Sequence, residues 1–415
     1  MRIITDPHIH SHYSRACSRE LTPENLATWG KRKGIELIAT GDFVHPGWRK
    51  ELASTLKEED GGFLVHHAHP EIKFFLSVEL SVIYSEGGAT RRLHIVIAMP
   101  DMATAERLAK ALADRGMNIT ADGRPILGMT AHDLAALALE TSAKAMIIPA
   151  HIWTPWFALY GSKSGYNSIT ECFRDLTPHI TAVETGLSSD PPMNWRIAEL
   201  DGIRIVSSSD AHSCENLGRE ATVLELEHMD YASLFAALKK PNEKNHIIET
   251  IEFYPEEGKY HYDGHRDCAV RLTPKETQKQ KGICKVCGKP LTVGVLARVE
   301  ELADRPEGYK DADRPEYKTL IPLQEIIANS LGLRKQSKKV QAEYMALTDQ
   351  KNEFDLLVYA PEDEVKAIAN PLIAEGIRKM RAGEVHIAPG YDGVFGTIEL
   401  FTEEERKGAV QPRLL

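Results

Sequence analysis

Eight histidines and acids of this chain lie in or directly after short β-like runs. They are His8, His10, Asp42, Glu79, His94, His151, Asp210 and His212. His8 and His10 are two residues apart, so both side chains point the same way on an extended segment, and Asp210 and His212 repeat that spacing. Imidazole and carboxylate are the groups that hold Zn, Mn or Mg in proteins. We therefore predict a site for two or three divalent ions formed by these residues.

Several clustered ions with mixed ligands suit the hydrolysis of phosphoesters. One ion lowers the pKa of a bound water toward about 7, and others neutralise charge on the attacking and leaving oxygens. Glu79 is our candidate to bridge two ions, and Asp210, Glu79 and His212 are the predicted catalytic residues.

The elements that must position these residues alternate between strand-like and helical runs from residue 1 to about residue 251. Thr22-Pro23-Glu24 carries a capping residue followed by Pro, which is typical of a helix start, and Gly34 ends the helix after Lys33. Further helices are predicted at 103–115 and 131–141. The alternation predicts an α/β fold with a mainly parallel sheet. Ligands at the ends of six or more strands favour a closed or nearly closed barrel, whose strands converge on one face, over an open doubly wound sheet.

A segment rich in cysteine, histidine and lysine follows this domain. Cys284 and Cys287 place two thiolates on one tight turn, and Cys268 supplies a third ligand. His265 completes an H-x2-C…C-x2-C site, with His261 as the alternative fourth ligand. We predict a structural zinc that folds a segment with few apolar residues. The alternatives are free thiols or a redox C-x-x-C pair, although no βαβ pattern surrounds it.

Three domains follow from these patterns. They are a metal-dependent catalytic domain at 1–251, a zinc-binding module with a Pro- and Asp-rich linker at 252–315, and a mostly helical domain at 316–415. Among the loops, 161–168 carries Lys163, and 185–192 leads into a helix. Both loops are either phosphate-binding backbone or ordinary connections.

The bulk composition is that of a soluble globular protein, with 42% hydrophobic and 27% charged residues among 415. The formal charge of −10 argues mildly against nucleic-acid binding, but bound cations would reverse the sign locally. No apolar stretch approaches the ~20 residues of a membrane span. The absence of a secretion signal and six scattered cysteines predict a cytoplasmic protein.

The opening motif resembles a known family. His8-Ile9-His10-Ser11-His12-Tyr13-Ser14 matches the H-x-H-x-x-x-S start of PHP (polymerase and histidinol phosphatase) domains, and the later ligands follow in the family's order. The resemblance implies a distorted (β/α)7 barrel with a trinuclear metal centre. The second motif departs from the usual Thr-Asp-His, so either Asp42 or His45 is its ligand.

Longer motifs resemble the endonuclease Q family over essentially the whole chain. They are the segments at 41–48, 161–165, 186–192 and 389–393, together with the cysteine segment. The resemblance implies a DNA-repair endonuclease that uses metal-activated water to cut the phosphodiester 5′ of deaminated bases (uracil, hypoxanthine, xanthine) and of abasic sites. It also admits a sliding clamp as a further partner.

An enzyme that reads a damaged base must take it out of the stack. Tyr391 and Phe395, on a glycine-rich turn, are predicted to stack on or wedge beside that base, or else they pack in a small core. Ser189 and Asn194 are predicted to read its edge, and Lys163 to contact phosphate. The basic residues Arg334, Lys335, Lys338 and Lys339 either bind the DNA backbone or form a solvated helix face.

Two other functions fit parts of the sequence. A small-molecule phosphomonoesterase of the histidinol-phosphate phosphatase kind would suit the acidic net charge, but it leaves the cysteine segment and the helical domain unexplained. A non-catalytic DNA-binding scaffold is disfavoured because nearly every ligand type is retained.

Overall fold

The strands of the computed structural model, which describes residues 1–310 and 313–410, are unevenly distributed along the chain. They are β1 Arg2–Asp6, β2 Leu37–Ala39, β3 Leu56–Glu58, β4 Leu64–His66, β5 His69–Glu86, β6 Ala89–Met99, β7 Ile126–Leu127, β8 Met146–Pro149, β9 Ala182–Glu184, β10 Arg204–Val206, β11 Ala221–Glu225, β12 His246–Glu252, β13 Asp263–His265, β14 Val270–Leu272, β15 Glu316–Thr319, β16 His386–Ala388 and β17 Thr397–Glu399. Twelve of the seventeen precede residue 253, in the part of the chain that holds the predicted metal ligands.

Helices dominate the remainder of the described chain. They are α1 Pro23–Lys33, α2 Pro46–Thr55, α3 Met102–Asp114, α4 Ala131–Thr141, α5 Ile169–Phe173, α6 Pro191–Trp195, α7 Tyr231–Lys239, α8 Pro274–Lys279, α9 Val295–Leu302, α10 Leu323–Leu331, α11 Lys338–Thr348, α12 Glu362–Ile368, α13 Pro371–Arg381 and α14 Glu403–Val410. None of the helices in the described residues is long and apolar enough to cross a membrane.

The helix starts and stops agree with the sequence signals. The Thr22 side chain accepts a hydrogen bond from the backbone N–H of Asn25, and Gly34 ends α1 with a φ of +85°. The left-handed conformation there favours glycine, which has no Cβ to clash. The predicted helix at 131–141 has the bounds of α4, and the one at 103–115 is shifted by one residue in α3.

The predicted α/β fold is confirmed, but the expectation of a mainly parallel sheet is wrong. An eleven-stranded mixed sheet has the order β15-β12-β11-β1-β2-β5-β4-β3, with β6 and β7 beside β5 and β8 beside β6. The long strands β5 and β6 form an antiparallel hairpin across the Gly87-Gly88 turn, whereas β1, β2 and β5 are parallel neighbours. The hairpin keeps β5 and β6 adjacent without the crossover helix that parallel neighbours require.

β9 and β10 form a separate parallel pair. The pair is tied to the end of β8 by the bond from Ile152 N–H to the Glu184 carbonyl, and to β12 by the bond from Ser207 Oγ to the Ile251 carbonyl. These contacts bring the ends of β8, β9 and β10 to the same side of the molecule. The described strands do not close one continuous hydrogen-bonded ring, so the seven-unit barrel stays a prediction.

The three-domain division also stays a prediction, and residues 311–312 and 411–415 of its last two domains lie outside the described residues. β15 extends the edge of the main sheet by pairing with β12. The helical domain is further fixed to α1 by a buried ion pair between Lys33 and Glu353, 2.7 Å apart. Tyr344 donates to the same carboxylate at 2.7 Å.

Candidate metal centre

The segment from His8 to His10 lies beside the segment from Asp210 to His212. The backbone N–H of Asp210 donates to the His8 carbonyl at 2.9 Å, and that of His10 donates to the Ala211 carbonyl at 3.1 Å. This short parallel bridge follows the ends of β1 and β10. It brings together residues about 200 positions apart in sequence, and the side chains of His8 and His10 are buried beside Asp210.

His8, His10, Glu79 and Asp210 form the first ligand group, with their ligand atoms within 4.8 Å of one another. His10 Nε2 lies 3.1 Å from Asp210 Oδ1 and 3.3 Å from Glu79 Oε2. His8 Nε2 lies 3.7 Å from the same Glu79 oxygen. Two imidazoles and two carboxylates thus surround one small volume.

Glu79, His94 and His151 form a second group. The other oxygen of Glu79, Oε1, lies 2.7 Å from His94 Nδ1 and 3.1 Å from His151 Nε2. Glu79 lies on β5 and His94 on its antiparallel partner β6, whereas His151 follows β8. The fully buried Glu79 carboxylate therefore points Oε2 toward His8 and His10 and Oε1 toward His94 and His151. A bridging ligand requires this arrangement.

The ligand atoms of the first group fit a cation. His8 Nε2, His10 Nε2 and Asp210 Oδ1 are buried and make no hydrogen bond among the described residues. Leaving such polar atoms without a partner is costly. Their convergence, with mixed nitrogen and oxygen donors, suits Zn, Mn or Mg.

Two carboxylates behind the ligands fix the histidine rings. His8 Nδ1 lies 3.0 Å from Glu184 Oε2, and His10 Nδ1 lies 3.1 Å from Asp42 Oδ1. An ionised carboxylate can only accept, so each Nδ1 carries the proton. The opposite nitrogen, Nε2, is then left to bind a metal, as in other carboxylate–histidine pairs.

Electrostatics in the cluster favour charged groups. Burial raises the pKa of Glu79, but His94, His8 and Arg124 together hold it well below its usual range. Burial lowers the pKa of His8, yet Glu184 and Glu79 raise it well above the ordinary value. His8 thus favours its protonated form as a counter-ion to these acids, whereas burial lowers the pKa of His94. A bound divalent cation would displace the His8 proton.

Backbone strain is concentrated at this site. Asp42, His151 and Asp210 have φ values of +49°, +31° and +47°, in a region that non-glycine residues rarely adopt. The close approach to His151 also requires a glycine, because a Cβ on Gly186 would lie 2.3 Å from the His151 Cβ. The strain fixes where these side chains point.

Two of the remaining predicted ligands, Asp42 and His212, lie beside His10 of the first group. Asp42 is fully buried, and its Oδ2 accepts hydrogen bonds from Ser11 and Ser14 as well as contacting His10 through Oδ1. His45 instead points its Nε2 to the Thr120 carbonyl, 3.2 Å away. His212 packs its ring 4.7 Å from that of His10.

Sequence reasoning missed Glu184 and Arg124. Glu184 ends β9 in the same way that the predicted ligands follow their strands, so the same pattern would have found it. Arg124 Nη1 lies 2.8 Å from Glu79 Oε2 and comes from an irregular loop in which no sequence pattern marks it.

Comparisons with known proteins find related domains and proteins. The PHP-associated family model matches residues 193–242, and the MJ0043 C-terminal domain model matches residues 322–384. The uncharacterized protein MJ0043 of Methanocaldococcus jannaschii is 35% identical over 250 residues, which cover 59% of this chain and 31% of that protein. The chain thus spans about a third of the length of that relative.

Two solved structures match over nearly the whole chain. The lesion-specific endonuclease PfuEndoQ from Pyrococcus furiosus has a TM-score of 0.85 and 30% identity, covering 99% of this chain and 100% of its own. An endonuclease Q complex with a 27-mer duplex that has an abasic lesion at the active site has a TM-score of 0.86 and 32% identity, covering 98% of each chain. The chain belongs to the endonuclease Q family.

The predicted zinc ligands of this endonuclease Q family member form a separate cluster outside the main sheet. His265, Cys268, Cys284 and Cys287 have their ligand atoms within 4.8 Å of one another. The Cys287 Sγ lies 3.9 Å from His265 Nε2. His261 is buried elsewhere, and burial lowers its pKa to about 4. The structure therefore places His265, and not His261, with the three cysteines.

The residues predicted to read a base have internal partners in this structure. Ser189 Oγ donates to the Thr185 carbonyl at 2.9 Å and accepts from Asn194 Nδ2 at 3.2 Å. Asn194 Oδ1 accepts from the Trp153 ring N–H at 2.8 Å. Both side chains are buried. Their base-reading role stays a prediction.

The residues predicted to contact stacked bases and phosphate differ in exposure. Phe395 is 65% exposed, with Lys259 Nζ 4.5 Å from its ring centre. Tyr391 is half-buried and forms a β-bridge with Tyr262, which places the glycine-rich turn on the cysteine segment. Lys163 is exposed at the tip of its loop. Phe395 and Lys163 are thus accessible to a ligand.

Proposed function

We propose that this chain initiates DNA repair by cutting the phosphodiester 5′ of deaminated bases (uracil, hypoxanthine, xanthine) and of abasic sites, leaving a 3′-hydroxyl and a 5′-phosphate on the lesion side. As a member of the endonuclease Q family it is a metal-dependent endodeoxyribonuclease. The observation that carries the proposal is the Glu79 carboxylate, which joins two groups of ligand atoms within one buried cluster.

The residues divide into two proposed metal subsites. His8, His10, Glu79 and Asp210 would hold one ion, and Glu79, His94 and His151 a second, with Asp42 and Glu184 orienting the histidines. Bound divalent ions supply a water of lowered pKa and neutralise charge on the phosphodiester. A third ion on the His212 side would give the trinuclear centre that PHP motifs imply.

His212 lies on the accessible side of the first group. Its side chain is 31% exposed, compared with 2% for His8. Burial, opposed by Asp210, lowers the pKa of His212. It is therefore neutral at pH 7 and suited to accept a proton or to bind a metal at the face where a phosphodiester would approach.

We further propose a structural zinc on His265, Cys268, Cys284 and Cys287. Three thiols and one imidazole are typical of closed zinc sites. Burial, together with the neighbouring Cys287 and Cys284 thiols, raises the pKa of Cys268 to about 11, whereas a zinc ion would hold all three as thiolates. Metal analysis of the purified protein tests this, since zinc that survives mild chelation and is lost in Cys284→Ser would support the assignment. A protein with no tightly held zinc would contradict it.

The cysteine segment also offers a surface for DNA. Residues 266–289 contain seven lysines and arginines and only two acids, although the whole chain carries a charge of −10. A locally basic surface neutralises phosphates whatever the net charge of the protein. The exposed Phe395 lies on the turn that packs against this segment, and in this proposal it stacks on a displaced base.

A nick-mapping experiment tests the proposal. Three end-labelled duplexes are compared, with one abasic site, one deoxyuridine or no lesion, each incubated with Mg²⁺, Mn²⁺ or a chelator. We expect a metal-dependent nick 5′ of each lesion and none in the undamaged duplex. Hydrolysis of a simple phosphomonoester without any nick would instead identify a small-molecule phosphatase.

The proposal also covers the substrate, the cellular location and a further partner. Damaged DNA is the proposed substrate, and six cysteines without a disulfide among the described residues suit the cytoplasm. A sliding clamp stays a predicted partner, to be tested by co-elution of the chain with a purified clamp from the same cell.

A further inference from the structure

The loop between β8 and α5 connects the second ligand group to the cysteine segment. It begins with the candidate ligand His151 and continues through Phe157, whose carbonyl accepts a hydrogen bond from the His94 N–H at 3.0 Å. The Phe157 ring also lies 4.7 Å from the His94 ring. The loop therefore supports both histidines of the second group, one covalently and one through Phe157.

Arg298 holds the far end of this loop. Its guanidinium donates to the carbonyl oxygens of Tyr160 and Tyr166, at 3.0 and 3.1 Å, and to Asn167 Oδ1 at 2.7 Å. Arg298 is only 7% exposed. The guanidinium thus makes three hydrogen bonds to this irregular segment. They hold the segment in one conformation, because arginine offers several donors in a rigid planar geometry.

The helix that carries Arg298 is built on the cysteine segment. α9 starts directly after Gly294, whose backbone N–H donates to Asp263 Oδ1 at 2.6 Å. Asp263 and the predicted zinc ligand His265 share strand β13, and Gly264 between them exchanges two backbone bonds with Thr292. Hydrogen bonds joined by short backbone segments thus run from the predicted zinc site through Arg298 to the loop of His151.

We propose that Arg298 is a positioning residue for the second metal subsite, so that the cysteine module governs how tightly Glu79, His94 and His151 bind their ion. The inference rests on the proposed metal centre and adds a requirement for the module. Arg298 contacts no ligand atom itself and acts only through the loop. Residues that hydrogen-bond a metal ligand directly typically change metal affinity by about 10- to 100-fold, and we expect Arg298, one contact further from the ligands, to act at the lower end of that range.

The test compares Arg298→Gln with wild type in the full-length, zinc-loaded chain. The Mn²⁺ concentration that gives half-maximal nicking of an abasic duplex should rise at least about 10-fold. At low Mn²⁺, kcat should fall while KM for DNA stays near that of wild type. Direct Mn²⁺ titration by calorimetry should show one of the two ions losing affinity while the affinity of the other stays unchanged.

Arg196→Gln is the matched control. Arg196 is also buried and also bonds α9, through Glu300 at 2.6 Å, but it does not contact the loop. Its Mn²⁺ dependence should match that of wild type. Should Arg298→Gln fail to fold, Asn167→Ala removes one of the three bonds and should give a smaller shift in the same direction.

The outcomes separate the two proposals. A wild-type chain that binds no Mn²⁺ and nicks no lesion overturns the proposed function itself. A wild-type chain that does both, with unchanged Mn²⁺ dependence in Arg298→Gln, or in Asn167→Ala if the former is unfolded, overturns only the role of Arg298. An equal rise in the Mn²⁺ concentration required by Arg196→Gln would show that any loosening of α9 has this effect. That result would also overturn the role of Arg298.

Discussion

Glu184 Oε2 lies 3.0 Å from His8 Nδ1 and also accepts the backbone N–H of His151 at 3.0 Å. A single buried carboxylate oxygen thereby orients a ligand of the first group and the backbone of a ligand of the second. Glu184 comes from β9, which is not part of the main sheet. The separate β9–β10 pair therefore has a direct role in shaping the candidate metal centre.

We expect Glu184→Gln to weaken metal binding at both groups. The glutamine keeps one acceptor oxygen but places an N–H₂ donor where a second oxygen faces His8, so the ring loses its fixed orientation. The metal concentration for half-maximal nicking should rise about 10- to 100-fold. Glu225→Gln on the partly exposed end of β11 is the control, and identical metal dependence in both variants would contradict the role of Glu184.

Two variants test whether Asp42 or His45 is the ligand of the second PHP motif. Asp42 contacts His10 and three donors from Ser11 and Ser14, whereas His45 bonds a carbonyl outside the cluster. Asp42→Ala should reduce metal affinity by at least about 10-fold, and His45→Ala should change it little. Calorimetric Mn²⁺ titration distinguishes them. The reverse order would make His45 the ligand.

Glu252 should make the protein less stable as the pH rises. Burial, with added repulsion from Asp190, raises the pKa of Glu252 to about 8, and burial next to Glu252 raises that of Glu220 well above its usual value. Between the ordinary carboxyl range and pH 8, the folded chain keeps protons that the unfolded chain releases. The free energy of unfolding therefore falls with rising pH, by at most about 1.4 kcal/mol per unit for one group.

Glu252→Gln removes this dependence, because glutamine resembles the neutral acid. Its stability relative to wild type should increase steadily from pH 5 to pH 8, as measured by urea unfolding at each pH. A constant difference across that range would show that Glu252 titrates normally in the folded chain.

The helical domain should depend on the buried Lys33–Glu353 pair. Both side chains are at most 6% exposed, and Glu353 also accepts from Tyr344 and from the Leu323 N–H. Glu353→Leu leaves the Lys33 ammonium buried without its counter-ion, which costs about 3 kcal/mol or more. Denaturant unfolding should show this loss, and adding Lys33→Met should restore part of it. A loss below about 0.5 kcal/mol would match an exposed pair instead.

Sequence reasoning predicted the candidate ligands more accurately than it predicted the topology of the sheet. His8, His10 and Asp210 were recognisable because they follow short strands and because two-residue spacing puts side chains on one side, and Glu79 because it lies in an apolar β-like run that belongs to β5. The β5–β6 hairpin was missed because both strands are buried on both faces over much of their length, so their continuous apolar runs resemble those of parallel strands. The Gly87-Gly88 turn was the remaining signal of a hairpin. Arg124 could not be predicted, since its position depends on the path of an irregular loop.

The most direct test of the central claim is the Asp210→Asn variant on a duplex with one abasic site. Asp210 is a ligand candidate of the first group, and His10 lowers its pKa despite burial, so the native residue is a carboxylate that asparagine cannot replace. Wild type should nick 5′ of the lesion with Mn²⁺. Asp210→Asn should fold, bind the duplex and lose at least about 100-fold in nicking rate, because it weakens the binding of the ion that would neutralise charge in the transition state. A folded Asp210→Asn variant that nicks at the wild-type rate would contradict the assignment of this cluster as the catalytic centre.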